Sequence, residues 1–192
     1  RQLEIYTTLI NSLNIKKPIL ASNALDDYAA NPDFLFLIHD IINKYKPSVI
    51  VEAGSGVSTL ISAYSLQKLS NGKIFSLDHD KDYQSIVKSS ISEHYLDNFV
   101  ESIHAPLVDY QNHNFKWYDI KELNRLNKID LLIIDGPPVK FSKNIRYPAI
   151  PLLLNKIKKG AIIILDDCKR KEEKNVVSLW KKEFDCFDYK YI

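Results

Sequence analysis

The chain reads as an α/β protein with a Rossmann-like, doubly wound, mostly parallel sheet and helices on both faces. Three observations predict this. Runs rich in Val, Ile and Leu recur along the sequence, as expected for strands buried on both faces. Amphipathic stretches of helical length separate them. At Val49 to Tyr64 the segment VIVEAGSGVSTLISAY passes from a hydrophobic strand through an acid and a glycine turn into a helix.

In chain order, residues 1–30 are expected to form an N-terminal helix and loop that could cap an active site, and 31–192 the main domain. Strands are expected over 48–53 (SVIVEA), 73–78 (KIFSLD), 99–105 (FVESIHA), 129–135 (IDLLIID) and 161–167 (AIIILDD). Helices fall at about 32–45, 57–70, 80–93, 118–127, 147–158 and 170–182. The closing segment FDCFDYKYI reads as a last strand.

Composition narrows the classes of function. At 192 residues the chain suits one buried core, and a net charge of +2 offers no strong field for nucleic acid. Lysine clusters such as Lys156/Lys158/Lys159 sit at helix ends, where solvated termini explain them. Two cysteines, Cys168 and Cys186, make neither a disulfide framework nor a zinc motif and fit a reducing, cytoplasmic setting. Apolar runs such as LLII and AIIIL fall well short of the ~18 to 20 residues of a membrane span. The sequence holds no Met and begins at Arg1, which reads as an excerpt of a longer chain.

In a sheet of this kind a ligand sits beyond the carboxyl ends of the strands, near the reversal of strand order. Those ends carry Glu52 to Gly56, Asp78, His104 to Leu107, Asp135 to Pro138, and Asp166 with Asp167. Gly54 and Gly56 permit a tight turn, yet Thr59 stands where a GxGxxG dinucleotide motif has its last small residue. A carboxylate at Glu52 would repel a pyrophosphate and attract a cation, which favours a phosphate-free, positively charged ligand. Glu52 reads alternatively as a buried carboxylate tied to backbone N–H groups, and Asp78 as a helix N-cap.

The motifs VEAGSGVSTL, IFSLDHD, IDLLIIDGPP and GAIIILDD together resemble the class I S-adenosylmethionine-dependent methyltransferases. More narrowly, YAANPDFLFLIHDIINKYKPSVIVEAGSGVSTL, HAPLVDY with KWYDI, and RYPAIPLL are similar to small bacterial methyltransferases associated with polysaccharide and glycan biosynthesis. The resemblance spans about 28–168. It implies that Glu52, Gly54, Ser55, Gly56 and Ser58 hold the methionine portion of S-adenosylmethionine. Asp78 and His79 would meet the ribose, and Ala105, Pro106 and Leu107 the adenine, with Asp135 beside the cofactor. In two places the sequence departs from the family: Ser58 replaces the third glycine of its turn, and one candidate strand stands where the family closes its sheet with an antiparallel hairpin.

Methyl transfer to a hydroxyl needs a general base or a metal ion at the acceptor. Asp135 and His79 are the catalytic candidates, with His104 and His113 as further loop histidines. Asp135, Asp166 and Asp167 can converge on a divalent cation such as magnesium, as similar O-methyltransferases do; the alternative is that Asp167 caps a helix and Asp135 braces the Gly136-Pro137-Pro138 loop. Lys140, Arg146, Tyr147 and Trp117 are candidate substrate contacts, with ion pairing for Arg146 and core packing for Trp117 and Tyr118 as alternatives. The expected partner is a glycan or other small hydroxylated acceptor, with no nucleic acid. A base-modifying N-methyltransferase would carry an aromatic after its prolines, where this chain has Val139. A non-catalytic module docked to a glycan-assembly enzyme is the remaining alternative.

Overall fold

The computed structural model describes residues 1–17, 19, 30–110, 115–126 and 128–192. Its centre is a five-stranded sheet in the order β3-β2-β1-β6-β7, parallel throughout. The strands are β1 (Val49–Ala53), β2 (Lys73–Asp78), β3 (Val100–His104), β6 (Ile129–Ile134) and β7 (Ile157–Leu165). Between β3 and β6 the chain inserts a separate antiparallel hairpin, β4 (Leu107–Tyr110) and β5 (Phe115–Tyr118), which pairs Leu107 with Tyr118.

Side-chain alternation along the strands divides the core in two. Ile50, Ile74, Val100, Leu131, Ile133 and Ile164 face a layer built from α1 (Gln2–Ser12), α2 (Pro32–Tyr45), α3 (Val57–Leu69) and α4 (Lys81–Glu93). Val51, Ala53, Leu77, Leu132 and Ile134 face the hairpin, α5 (Ala149–Leu153) and α6 (Lys171–Glu183). Local chemistry sets the helix ends. The Asn31 side chain accepts a hydrogen bond from Phe34 N with Pro32 at the first turn, and Asp80 accepts from the N–H groups of Asp82 and Tyr83. Among the described residues no helix is long and apolar enough to cross a membrane.

Four sequence expectations change. The helix expected over 118–127 is the end of β5 followed by a short 3-10 helix, Lys121–Arg125. The helix expected over 147–158 shortens to α5, because Pro148 and Pro151 suit only a first turn. Strand β7 begins and ends earlier than expected, so Asp166 and Asp167 lie just beyond it, with Asp167 in the left-handed region at φ +60°. No strand forms after α6. Phe184 and Phe187, three residues apart, both pack on the core beside Tyr189, whereas a strand would turn them to opposite faces. Near the end of α3 Lys68 donates to the Ser12 carbonyl, and beyond α1 Lys17 donates to the Glu93 carbonyl at the end of α4. Much of the cap expected within 1–30 falls on 18 and 20–29, outside the described residues.

The helices following β1 and β2 lie on one face, and the elements following β6 on the other. The chain therefore switches sides where β1 and β6 run next to each other. At that point Gly54, at φ +102°, approaches Gly136 so closely that an added Cβ would meet its backbone nitrogen at 2.9 Å. Gly54→Ala should cost about 2 kcal/mol or more, from the backbone strain and the clash together. Gly160, at φ +81° with open space around it, should cost about 1 kcal/mol on the same change. Denaturant melts of the two variants check the order, and equal losses would mean that the switch point is not tightly packed.

Candidate functional site

The carboxyl edge gathers the strand-end groups. Glu52 is 0% exposed, and its Oε2 accepts hydrogen bonds from Thr59 Oγ1 at 2.5 Å and Ser76 Oγ at 2.7 Å. Thr59 Oγ1 in turn accepts the Gly56 N–H at 3.0 Å, so the acid braces the glycine turn through a threonine. The other oxygen, Oε1, has no hydrogen-bond partner among the described residues. Burial outweighs the stabilising hydroxyls of Thr59, Ser76 and Ser58 and raises the Glu52 pKa from 4.5 to about 7.

Asp78 ends β2 and receives Ser55 through both its N–H (3.1 Å) and its hydroxyl (2.7 Å), while its second oxygen takes the Asp80 N–H at 2.9 Å. The N-cap of α4 is Asp80, not Asp78. His79 places Nδ1 3.4 Å from Asp78 and stacks edge-on against Phe141, a ring 40% exposed at the rim. Ala105 is buried and donates its N–H to the Asp78 carbonyl, Pro106 is exposed, and Leu107 is half-buried at the start of the hairpin. His104 is exposed at the end of β3, and His113 lies outside the described residues.

On the other side of the switch point, Asp135, Asp166 and Asp167 bring carboxylate oxygens within 4.8 Å of one another. Arg146, 3% exposed, lies among them. Its guanidinium donates to the backbone carbonyls of Asp135 (2.6 Å) and Asp166 (3.1 Å), and stands 3.3 Å from Asp167, 3.6 Å from Asp135 and 3.7 Å from Glu173. Arg170 adds a second contact to Asp167 at 2.7 Å. Four carboxyl groups thus face two guanidinium groups, a formal excess of two negative charges when every acid is ionised. Burial first, and then the neighbouring acids, push the pKa values of Asp135 and Asp166 upward. This donor set and surplus charge suit a divalent cation with oxygen ligands.

The structure therefore brings together Glu52, the 54–58 turn, Asp78, His79, Asp135, Asp166 and Asp167. It places three candidate substrate contacts in the interior. Trp117 is buried in the second core, Arg146 is committed to ion pairs, and Tyr147 gives its hydroxyl to Glu183. Lys140 stays at the surface with its ammonium over Phe141. Sequence reasoning missed the bracing roles of Thr59 and Ser76 and the buried Glu173. A threonine three residues into a helix after a glycine was a readable capping signal; Ser76 and Glu173 offered none.

The fold and the site define an α/β protein that binds a small ligand at the switch point of a parallel sheet. Residues 51–168 match the family described as Methyltransferase domain, and the chain belongs to that family. No curated protein sequence matches the chain. Among solved structures it is similar to an O-methyltransferase from Bacillus cereus in complex with SAH (TM-score 0.65, 16% identity, 93% of this chain and 78% of that one). It is also similar to the O-methyltransferase TomG from Streptomyces achromogenes, involved in tomaymycin synthesis and solved with SAM (TM-score 0.63, 14% identity, 98% and 88%). The SAH-bound Podospora anserina methyltransferase PaMTH1 gives a TM-score of 0.57 at 15% identity; 85% of this chain covers 62% of that protein's length. At these identities the likeness concerns the fold.

The Glu52 pKa gives a testable pH dependence. A carboxyl whose folded pKa is raised contributes stability that is fully present below about 4.5 and is lost as pH climbs through about 7. Glu52→Gln keeps an oxygen for Thr59 and Ser76 and cannot ionise. In urea melts its stability relative to wild type should rise by about 3 kcal/mol between pH 4.5 and 8. A difference that stays flat would show that Glu52 titrates at its ordinary pKa in the fold.

Proposed function

We propose that the protein is an S-adenosylmethionine-dependent O-methyltransferase acting on a hydroxyl of a sugar, glycan or other small hydroxylated acceptor, with a divalent cation at the aspartate trio. The observation that carries this reading is the surplus of negative charge in the Asp135, Asp166 and Asp167 cluster, one strand away from the braced glycine turn. Family membership supports methyl transfer, and the SAH and SAM complexes of the Bacillus cereus and Streptomyces achromogenes proteins support the cofactor.

In this reading the sulfonium supplies an activated methyl group, and the protein positions an acceptor oxygen in line with it. The unpaired Glu52 oxygen and the Gly54 to Ser58 turn hold the cationic methionine portion, Asp78 with His79 the ribose, and Ala105 to Leu107 the adenine. Asp166 and Asp167, with Asp135, would hold the cation, whose chemistry would be to lower the pKa of the acceptor hydroxyl. Without a cation at the trio, Asp135 is the base placed to take the acceptor's proton. Exposed Val139 and Phe141, with Lys140 between them, form an apolar rim with a cationic tip beside the site, a surface suited to a sugar ring carrying an acidic group.

Calorimetry should detect S-adenosylmethionine binding to wild type and to Asp135→Asn alike, while turnover of Asp135→Asn falls by about a hundredfold or more. Turnover on glycan or sugar acceptors, read as a methyl mass gain, should vanish in chelator and return with magnesium or manganese. Full activity in excess chelator removes the cation from the reading. Tight NADH binding with indifference to S-adenosylmethionine removes the reading itself.

A further inference from the structure

Tyr118 is the last residue of β5, 1% exposed, and the roles proposed above leave its hydroxyl unused. Its hydroxyl lies against Gly136, so close that a Cβ added to Gly136 would stand 2.4 Å from it. The same added Cβ would meet the Gly54 Cα at 3.1 Å. The phenol oxygen therefore reaches the switch point itself. The ring stands edge-on to His79 with centroids 6.2 Å apart, and across the hairpin its backbone pairs with Leu107. No hydrogen bond joins the hydroxyl to another described residue, although a phenol buried for packing alone would lose nothing by being phenylalanine. The charges that act on it most strongly are Asp78 and then Asp135. Burial and those two carboxylates raise its pKa, so it stays a neutral donor.

We infer that the Tyr118 hydroxyl is a hydrogen-bond contact to the nucleoside half of the bound cofactor. The inference rests on the cofactor assignment made under Proposed function. The nucleoside half is favoured over the methyl group because the ring stands edge-on to His79, which lies beside Asp78 at the end of β2, and its strand pairs at Tyr118 with Leu107 of the turn after β3. There Asp78 accepts from ribose hydroxyls, and a neutral phenol among carboxylates supplies the donor that they cannot. The hairpin is thus a binding element that reaches the cofactor from outside the parallel sheet.

The test is Tyr118→Phe, which keeps the ring and removes one oxygen. Calorimetry on the purified protein should show S-adenosylmethionine and S-adenosylhomocysteine weakened by the same factor, about tenfold, with an unchanged melting temperature for the ligand-free protein. Unchanged affinity for both ligands overturns the inference. Loss for S-adenosylmethionine alone also overturns it and assigns the hydroxyl to the methyl group. A lower ligand-free melting temperature with unaltered binding assigns the oxygen to the fold. Failure of the wild-type protein to bind either ligand would instead overturn the cofactor assignment, a distinct outcome.

Discussion

A guanidinium buried beneath two strand ends organises the carboxyl edge of this protein. Arg146 donates to the carbonyls that follow β6 and β7 and stands beside three carboxylates from three different segments. Like charges gathered in a low-dielectric interior would drive one another to protonate or drive the strand ends apart. The buried Arg146 offsets part of that repulsion, while burial and the neighbouring acids still push the Asp135 and Asp166 carboxyls toward protonation. Because a guanidinium presents its donors in a rigid plane, it also sets the orientation of both strand ends, which a lysine could not do.

The opposite half of the site is built by different means. Glu52 carries no salt bridge and is held by hydroxyls, with Thr59 passing its influence to the Gly56 backbone. A hydroxyl can donate to a carboxylate and still accept an N–H, so this chain of contacts stays satisfied whether Glu52 is charged or neutral. The two halves approach each other through backbone at Gly54 and Gly136, where side chains would prevent the approach.

Much of the sheet and some of the site were legible in the sequence, for identifiable reasons. Strands β1, β2 and β6 are buried on both faces and read as mostly apolar runs, each with an acid at or just beyond its carboxyl end. The helix starts at Asn31 and Asp80 carry their own capping chemistry. What could not be read depends on distant partners. Arg146 finds Glu173 across 27 positions, and whether it faces solvent or carboxylates is decided by the packing of α6. The β4 and β5 strands are four residues each, too short for alternation to separate them from loop, and Lys121–Arg125 follows them with a helical composition that forms only a 3-10 turn. The terminal aromatics misled for a related reason, since FDCFDYKYI has strand composition but a spacing that packs two rings on one side.

Successive residues of a strand face opposite ways, yet Trp117 and Tyr118 are both buried, so the base of β5 is covered on both sides, while the next pair out, Asp109 and Lys116, meets solvent. The hairpin shares no ladder with the five-stranded sheet. Adding or removing one residue in β5 would therefore exchange which side chain arrives beside Gly136 while leaving every parallel strand in register. A ribbon of eight paired residues gives a lineage a way to alter what the site accepts by length variation alone, without disturbing the scaffold that keeps it folded.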